Sequence, residues 1–220
     1  MPSIASQSFD ANVADIDRLL EIHLHEGGEE RGRRHDLEVL NKSAIVLITA
    51  YWEAYCEDVA AEALAHILTH ADSADALPEN LRKTLAREIK SALNELEVWK
   101  LADLGRKSYL NARLERLQEE RNRRLNTPKS SNVDALFLEA IGIPKVSSSW
   151  KWKKMSSAQA TAKLDKYVSL RGAIAHRGKH SESVKKSEVE DFLTFTKKLA
   201  ALTGGIVNKH VKAISGTPLW

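Results

Sequence analysis

From Ala44 to Ala65 the chain is apolar on most faces of a helix, and such a segment is stable only when other helices surround it. The helix it belongs to is expected over about Asp36 to His70, with Asp36 as its cap, at the centre of the fold. Strand signals are nearly absent, because β-branched residues are sparse and no run alternates for more than a few positions. Phe9, Val13, Ile16, Leu20 and Leu24 recur at helical spacing and predict a first helix over Asp10 to His25, stopped by Gly27-Gly28. Pro78 to Arg124 reads as one or two charged amphipathic helices, broken near Gly105. Thr127 to Asn132 is expected as a loop, Val133 to Ile141 as a short helix and Gly142 to Ser149 as a second loop. Ser156 or Ser157 then caps a helix reaching about His176, Gly178 stops it, and a last helix spans Ser187 to Leu202 or continues past Gly204-Gly205. Four long helices with short ones between them predict an all-α bundle, one domain over 1–220 with an insertion around 126–155.

A chain of 220 residues with 43% hydrophobic content can bury one sizeable core. The single Cys56 lies in an apolar run, which excludes a disulfide framework and a multi-cysteine zinc site and leaves a small buried hydrophobe. His66 and His70 stand four apart without further Cys or paired acids, a poor start for a metal site, and no cofactor motif is present. Met1 to Asp10 has neither a basic n-region nor an apolar h-region, and Ala44 to Ala50 falls short of the ~18 residues of a membrane span, so a cytoplasmic protein is expected.

The formal charge of +3 hides an asymmetry. Residues 1–80 carry 5 Lys/Arg against 16 Asp/Glu, and residues 81–220 carry 28 against 14. One half is thereby suited to a polyanion and the other to a basic partner or to a second copy, unless these are only solvated helix faces.

The helix before Gly178 carries an anomaly. Leu164, Tyr167, Val168, Ile174 and Ala175 fall on one arc at ~100° per residue, with Arg171 in its middle. A guanidinium there keeps its charge and must face a carboxylate such as Glu53 or Glu57, a wet cleft or a bound anion. Five positions on, His176 sits in the last turn, ~140° round an ideal helix from Arg171. Alone it reads as a helix-end partner. The two converge only if the helix frays near Gly172 or its end, or if two copies meet.

Arg171-Gly-Ala-Ile-Ala-His176 resembles the motif of HEPN proteins, an arginine followed after four to six residues by a histidine near the end of a bundle helix. The resemblance extends to Thr49-Ala50-Tyr51-Trp52-Glu53-Ala54-Tyr55, to Leu164–Leu170 and to Ile174-Ala175-His176-Arg177-Gly178, and is greatest to the RiboL-PSP type or the similar group with a Trp-Glu helix. It implies a HEPN-like bundle and metal-independent RNA cleavage in a homodimer whose two motifs face each other. It also implies toxin–antitoxin or antiphage roles with an antitoxin or defence partner. Attack by RNA's own 2′-hydroxyl needs a base, an acid and a cation on the phosphorane, which His176 and Arg171 supply, with Glu53 orienting Arg171. Trp52 is assigned to the core. The chain departs from the pattern at Gly172, where active relatives commonly carry Asn, Asp or His.

Residues 145–180 hold nine Lys/Arg and one acid, Asp165, an electrostatic footprint for phosphate. Trp150-Lys151-Trp152-Lys153-Lys154 interleaves indoles with ammonium groups, suited to base stacking and backbone contact, or else to pinning the insertion on the core. Lys151, Trp152, Lys153, Lys154, Arg177 and Lys179 are the RNA-binding candidates; Arg121, Arg123 and Arg124 read as a helix end. Two rivals to an endoribonuclease stay open: a catalytically silent HEPN module that binds RNA or protein, and a helical interaction protein with Arg171 in a buried ion pair.

Overall fold

The computed structural model describes residues 3–27, 37–71, 73–91, 94, 96, 105–119, 125–177 and 183–220, with the side chains of 106, 176 and 177 left out. These form seven α-helices: α1 (Ile4–Gly27), α2 (Glu38–His70), α3 (Glu79–Lys90), α4 (Gly105–Glu119), α5 (Ser130–Ile141), α6 (Ser157–Arg177) and α7 (Lys186–Ser215), with a 3₁₀ turn at Val146–Ser149. The fold is an all-α, HEPN-like bundle of four long helices, α1, α2, α6 and α7, with the shorter α3–α5 between the second and third.

The all-round apolar helix is the axis of the bundle. α2 packs against α1, α4, α5, α6 and α7, and it buries Ile45, Ile48, Trp52, Cys56, Val59 and Leu64. A helix apolar on every face needs several partners, and the five around α2 meet that demand. The N-cap of α2 is Leu37, with no side-chain cap; Asp36, the expected cap, lies outside the described residues.

Several boundaries move for reasons that are tertiary. α1 begins at Ile4 rather than Asp10, because the N–H groups of Ile4 and Ala5 donate to the Glu62 carboxylate of α2 at 3.1 and 3.2 Å. α5 begins at Ser130 rather than Val133, because Ser130 donates its N–H (2.8 Å) and hydroxyl (3.1 Å) to Asp165 of α6. α7 runs through Gly204-Gly205 to Ser215. A Cβ at Gly204 would lie 2.7 Å from the Tyr55 hydroxyl, which donates to the Ala200 carbonyl at 2.8 Å. The glycine therefore serves helix packing and does not break the helix. α6 starts as its sequence predicts, at a reciprocal Ser156–Gln159 cap.

The segment 126–155 contributes heavily to the core. Phe137, Ile141 and Trp150 are fully buried, and the Trp150 indole donates to Thr203 at 2.9 Å and meets Trp52 edge-on at 5.8 Å. Among the described residues no helix is long and apolar enough to cross a membrane.

Candidate active site

α6 dips into the core through Leu164, Tyr167 and Val168, one turn short of Arg171. Beyond Arg171 the expected apolar arc dissolves, since Ile174 is half-buried and Ala175 exposed. The arginine thus sits where the helix emerges from the core. Its side chain is partly exposed, yet Nε is buried with no hydrogen-bond partner among the described residues. Leaving a buried donor unsatisfied costs ~1–3 kcal/mol, more for a charged group. Water, an anion or a partner molecule can satisfy such a group.

Two carboxyls from α2 share this region. Glu53 and Glu57 stand one helical turn apart and both are buried. Burial raises the Glu53 carboxyl from its usual 4.5 to about 7, the Glu57 charge adds to the rise, and the Arg171 charge opposes it. Glu53 is therefore divided between acid and carboxylate near neutral pH, beside a guanidinium. Perturbed groups of this kind concentrate at functional sites.

His176 lies in the last turn of α6; its side chain and that of Arg177, together with all of Lys179, are outside the described residues. The backbone is informative by itself. α6 is one unbroken helix from Ser157 to Arg177, so the expected alternative of fraying at Gly172 does not occur. On a continuous helix positions 171 and 176 are ~140° apart around the axis and ~7.5 Å apart along it. A Cβ built on Gly172 would meet nothing within 4 Å among the described residues. No packing among the described residues demands glycine there.

The basic loop sits at the other end of α6. Arg171 is fourteen residues beyond Ser157, or ~21 Å along a helix axis. Trp150 is fully buried and takes the core-pinning alternative left open by the sequence, whereas Trp152 is half-buried with its ring 6.0 Å from Phe195 of α7. Lys151, Lys153 and Lys154 are exposed around it. Met155 and Trp152 exchange backbone hydrogen bonds at 2.9 and 3.0 Å, closing a turn in which Lys154 has φ 68°. Lys163 is drawn into an ion pair with Asp191 at 2.7 Å, and Asp191 also accepts from the Tyr167 hydroxyl at 2.7 Å. Asp165, the one acid of the basic segment, is used as the cap of α5. Phe195 and Lys198, which sequence reasoning did not single out, line a groove together with Trp152; their signal was an aromatic and a lysine pair within one turn of a helix.

His66 and His70 stack on each other at 4.1 Å and engage Thr217 and a backbone carbonyl; among the described residues no group of three His, Cys, Asp or Glu is placed to hold a metal. Arg121, Arg123 and Arg124 fall outside the described residues.

No curated protein and no solved structure gives a significant match to the chain. The RiboL-PSP-HEPN family model matches residues 11–209, nearly the whole chain and both of the blocks around Glu53 and Arg171. With an all-α bundle around a central helix and the arginine emerging near the end of α6, the chain belongs to the RiboL-PSP-HEPN family.

Proposed function

We propose that this protein is an endoribonuclease that cuts RNA through the 2′-hydroxyl without a metal, as a homodimer. The observation that carries the reading is Arg171, a cation whose buried Nε has no hydrogen-bond partner among the described residues. A non-bridging phosphate oxygen is the kind of acceptor that satisfies it.

In this scheme the 2′-oxygen forms a bond to phosphorus while the bond from phosphorus to the 5′-oxygen breaks, giving a 2′,3′-cyclic phosphate and a free 5′-hydroxyl. The proton of the 2′-hydroxyl passes to a base, and the leaving oxygen takes a proton from an acid. His176 is assigned these proton transfers and Arg171 the developing charge on the phosphorane. Glu53 orients the guanidinium from α2. Since α6 is continuous through both positions, convergence of the motif is assigned to two copies of the helix meeting across a two-fold axis. Lys151, Trp152, Lys153, Lys154, Arg177 and Lys179 are assigned to RNA, and the biological role to a toxin or antiphage effector with an antitoxin or defence partner.

A second reading, a HEPN module that binds RNA without cutting it, is favoured by Gly172, which leaves Arg171 without the polar neighbour of active relatives. Product chemistry separates the two. The enzyme should leave 2′,3′-cyclic phosphate ends, should spare a strand made 2′-deoxy at every position, and should lose specific activity when diluted below its dimer dissociation constant. Cleavage of the all-deoxy strand at the same rate rejects the proposed chemistry, and no cleavage of either strand favours the silent module.

A further inference from the structure

α6 and α7 do not close on each other along their whole length. Tyr167 stacks on Phe192 at 4.1 Å and seals the contact near Arg171. Toward the start of α6 lies a groove of about 570 Å³, walled by Lys163 of α6, by Trp152 and Met155, and by Asp191, Phe195 and Lys198 of α7 among others. A second, shallower groove of about 720 Å³ continues on the other side of Trp152 and Met155, between Lys151, Lys154 and Gln159. The half-buried indole and Met155 are thus walls common to both, and lysines line each groove.

The charges are unequal in their freedom. Lys163 is paired with Asp191 at 2.7 Å and its ammonium lies 4.9 Å from the Phe195 ring centroid; Lys197 is 3.7 Å from Asp17. Lys151, Lys154 and Lys198 have no ion pair among the described residues. Lys154 is moreover held at φ 68°, a conformation that a lysine adopts at a cost. A flat aromatic wall flanked by unpaired ammonium groups matches the two parts of a nucleotide, a base that stacks and a phosphate that neutralises.

We propose that the groove between α6 and α7 is a subsite for an unpaired nucleotide of the RNA, with its base against Trp152 and its phosphates at Lys151, Lys154 and Lys198. The subsite rests on the reading of the chain as an RNA-cutting enzyme, and it adds a constraint that the motif alone does not. From Lys163 to Arg171 is ~12 Å of helix, so the anchored nucleotide is not the one that is cut, and a strand must be long enough to reach both. The sealed Tyr167–Phe192 contact sends the strand over the surface of α6 between the two points.

The test is equilibrium binding of an uncleavable probe, a 2′-O-methyl oligoribonucleotide of about 12 nucleotides, a length within the usual range of single-strand sites. Trp152→Leu should weaken binding about tenfold while Trp152→Phe retains most of it, as expected for loss and retention of a stacking face. Replacing Lys151, Lys154 and Lys198 with Gln should lower the slope of log affinity against log salt by about two. Melting curves identify any variant that fails to fold, and the lysine variants, all at exposed or groove-rim positions, carry the test if Trp152→Leu is lost. Unchanged affinity and salt slope across the folded variants overturn the subsite, as does equal affinity for polyglutamate, which would make the groove a dock for acidic protein. The two readings fail separately: cleavage of RNA with binding unchanged in these variants removes the subsite and leaves the nuclease, whereas Trp152-dependent binding without cleavage removes the nuclease and leaves the subsite.

Discussion

Arg171 was legible in the sequence because a permanent charge in an apolar arc breaks a pattern, and its position where α6 leaves the core is the physical form of that break. Glu53 was visible only as a carboxylate on the central helix; its raised pKa depends on burial and on Glu57, which periodicity does not report. The sign of that shift makes a prediction. Between about 4.5 and about 7 the folded chain holds a proton on Glu53 that the unfolded chain has released, so the stability of the native state falls as pH rises through this window and levels off above it. Glu53→Gln should remove that slope, and chemical denaturation at a series of pH values checks it; an unchanged slope means that Glu53 titrates normally. Gly172 is the second residue with a consequence. Since a methyl group there meets nothing within 4 Å among the described residues, Gly172→Ala should stabilise the helix by ~0.5–1 kcal/mol. If the open space admits a phosphate or the partner helix, the same substitution should lower cleavage while raising Tm, and a rise in both would show that the glycine is incidental.

At the scale of elements, the helices whose ends are capped within a few residues were read well and those capped from afar were not. Ser156 and Gln159 announce the start of α6 locally. The starts of α1 and α5 depend on Glu62 and Asp165, which are more than thirty residues distant in each case, and no window of sequence contains both the helix and its cap. Asp134 does the same for the 3₁₀ turn, accepting from the Ser147 N–H at 2.8 Å and its hydroxyl at 2.7 Å. In the same way, Trp150 and Trp152 look equivalent in sequence, and only the seat beside Thr203 and Trp52 makes one of them core. Asp165→Ala should therefore destabilise the protein by about 1 kcal/mol through loss of the α5 cap. Because it also removes the one acid of the basic segment, it should leave RNA affinity equal or higher. A loss of RNA affinity in the folded variant would assign Asp165 to the interface and not to the cap.

At the scale of the whole molecule, the bundle follows from a single demand, that α2 be covered on every side, and this is why the all-α architecture and its central helix are legible in the sequence. The route from fold to function is narrower. Acidic α1 and α2 and the basic stretch from Lys145 onward are packed into one core, and several acids are consumed structurally: Glu62 and Asp165 as caps, Asp191 on Lys163 and Tyr167. What remains at the end of α6 is a cation without a hydrogen-bond partner at Nε among the described residues, and the central claim is that RNA phosphate is that partner. The most direct measurement is the rate of RNA cleavage in excess EDTA by the wild-type protein and by Arg171→Ala and His176→Ala, each checked for native melting. The account predicts that the wild type cuts in EDTA and that each variant loses at least about a hundredfold in rate. Cleavage that requires an added divalent metal, or that survives in the folded Arg171→Ala protein, would contradict it.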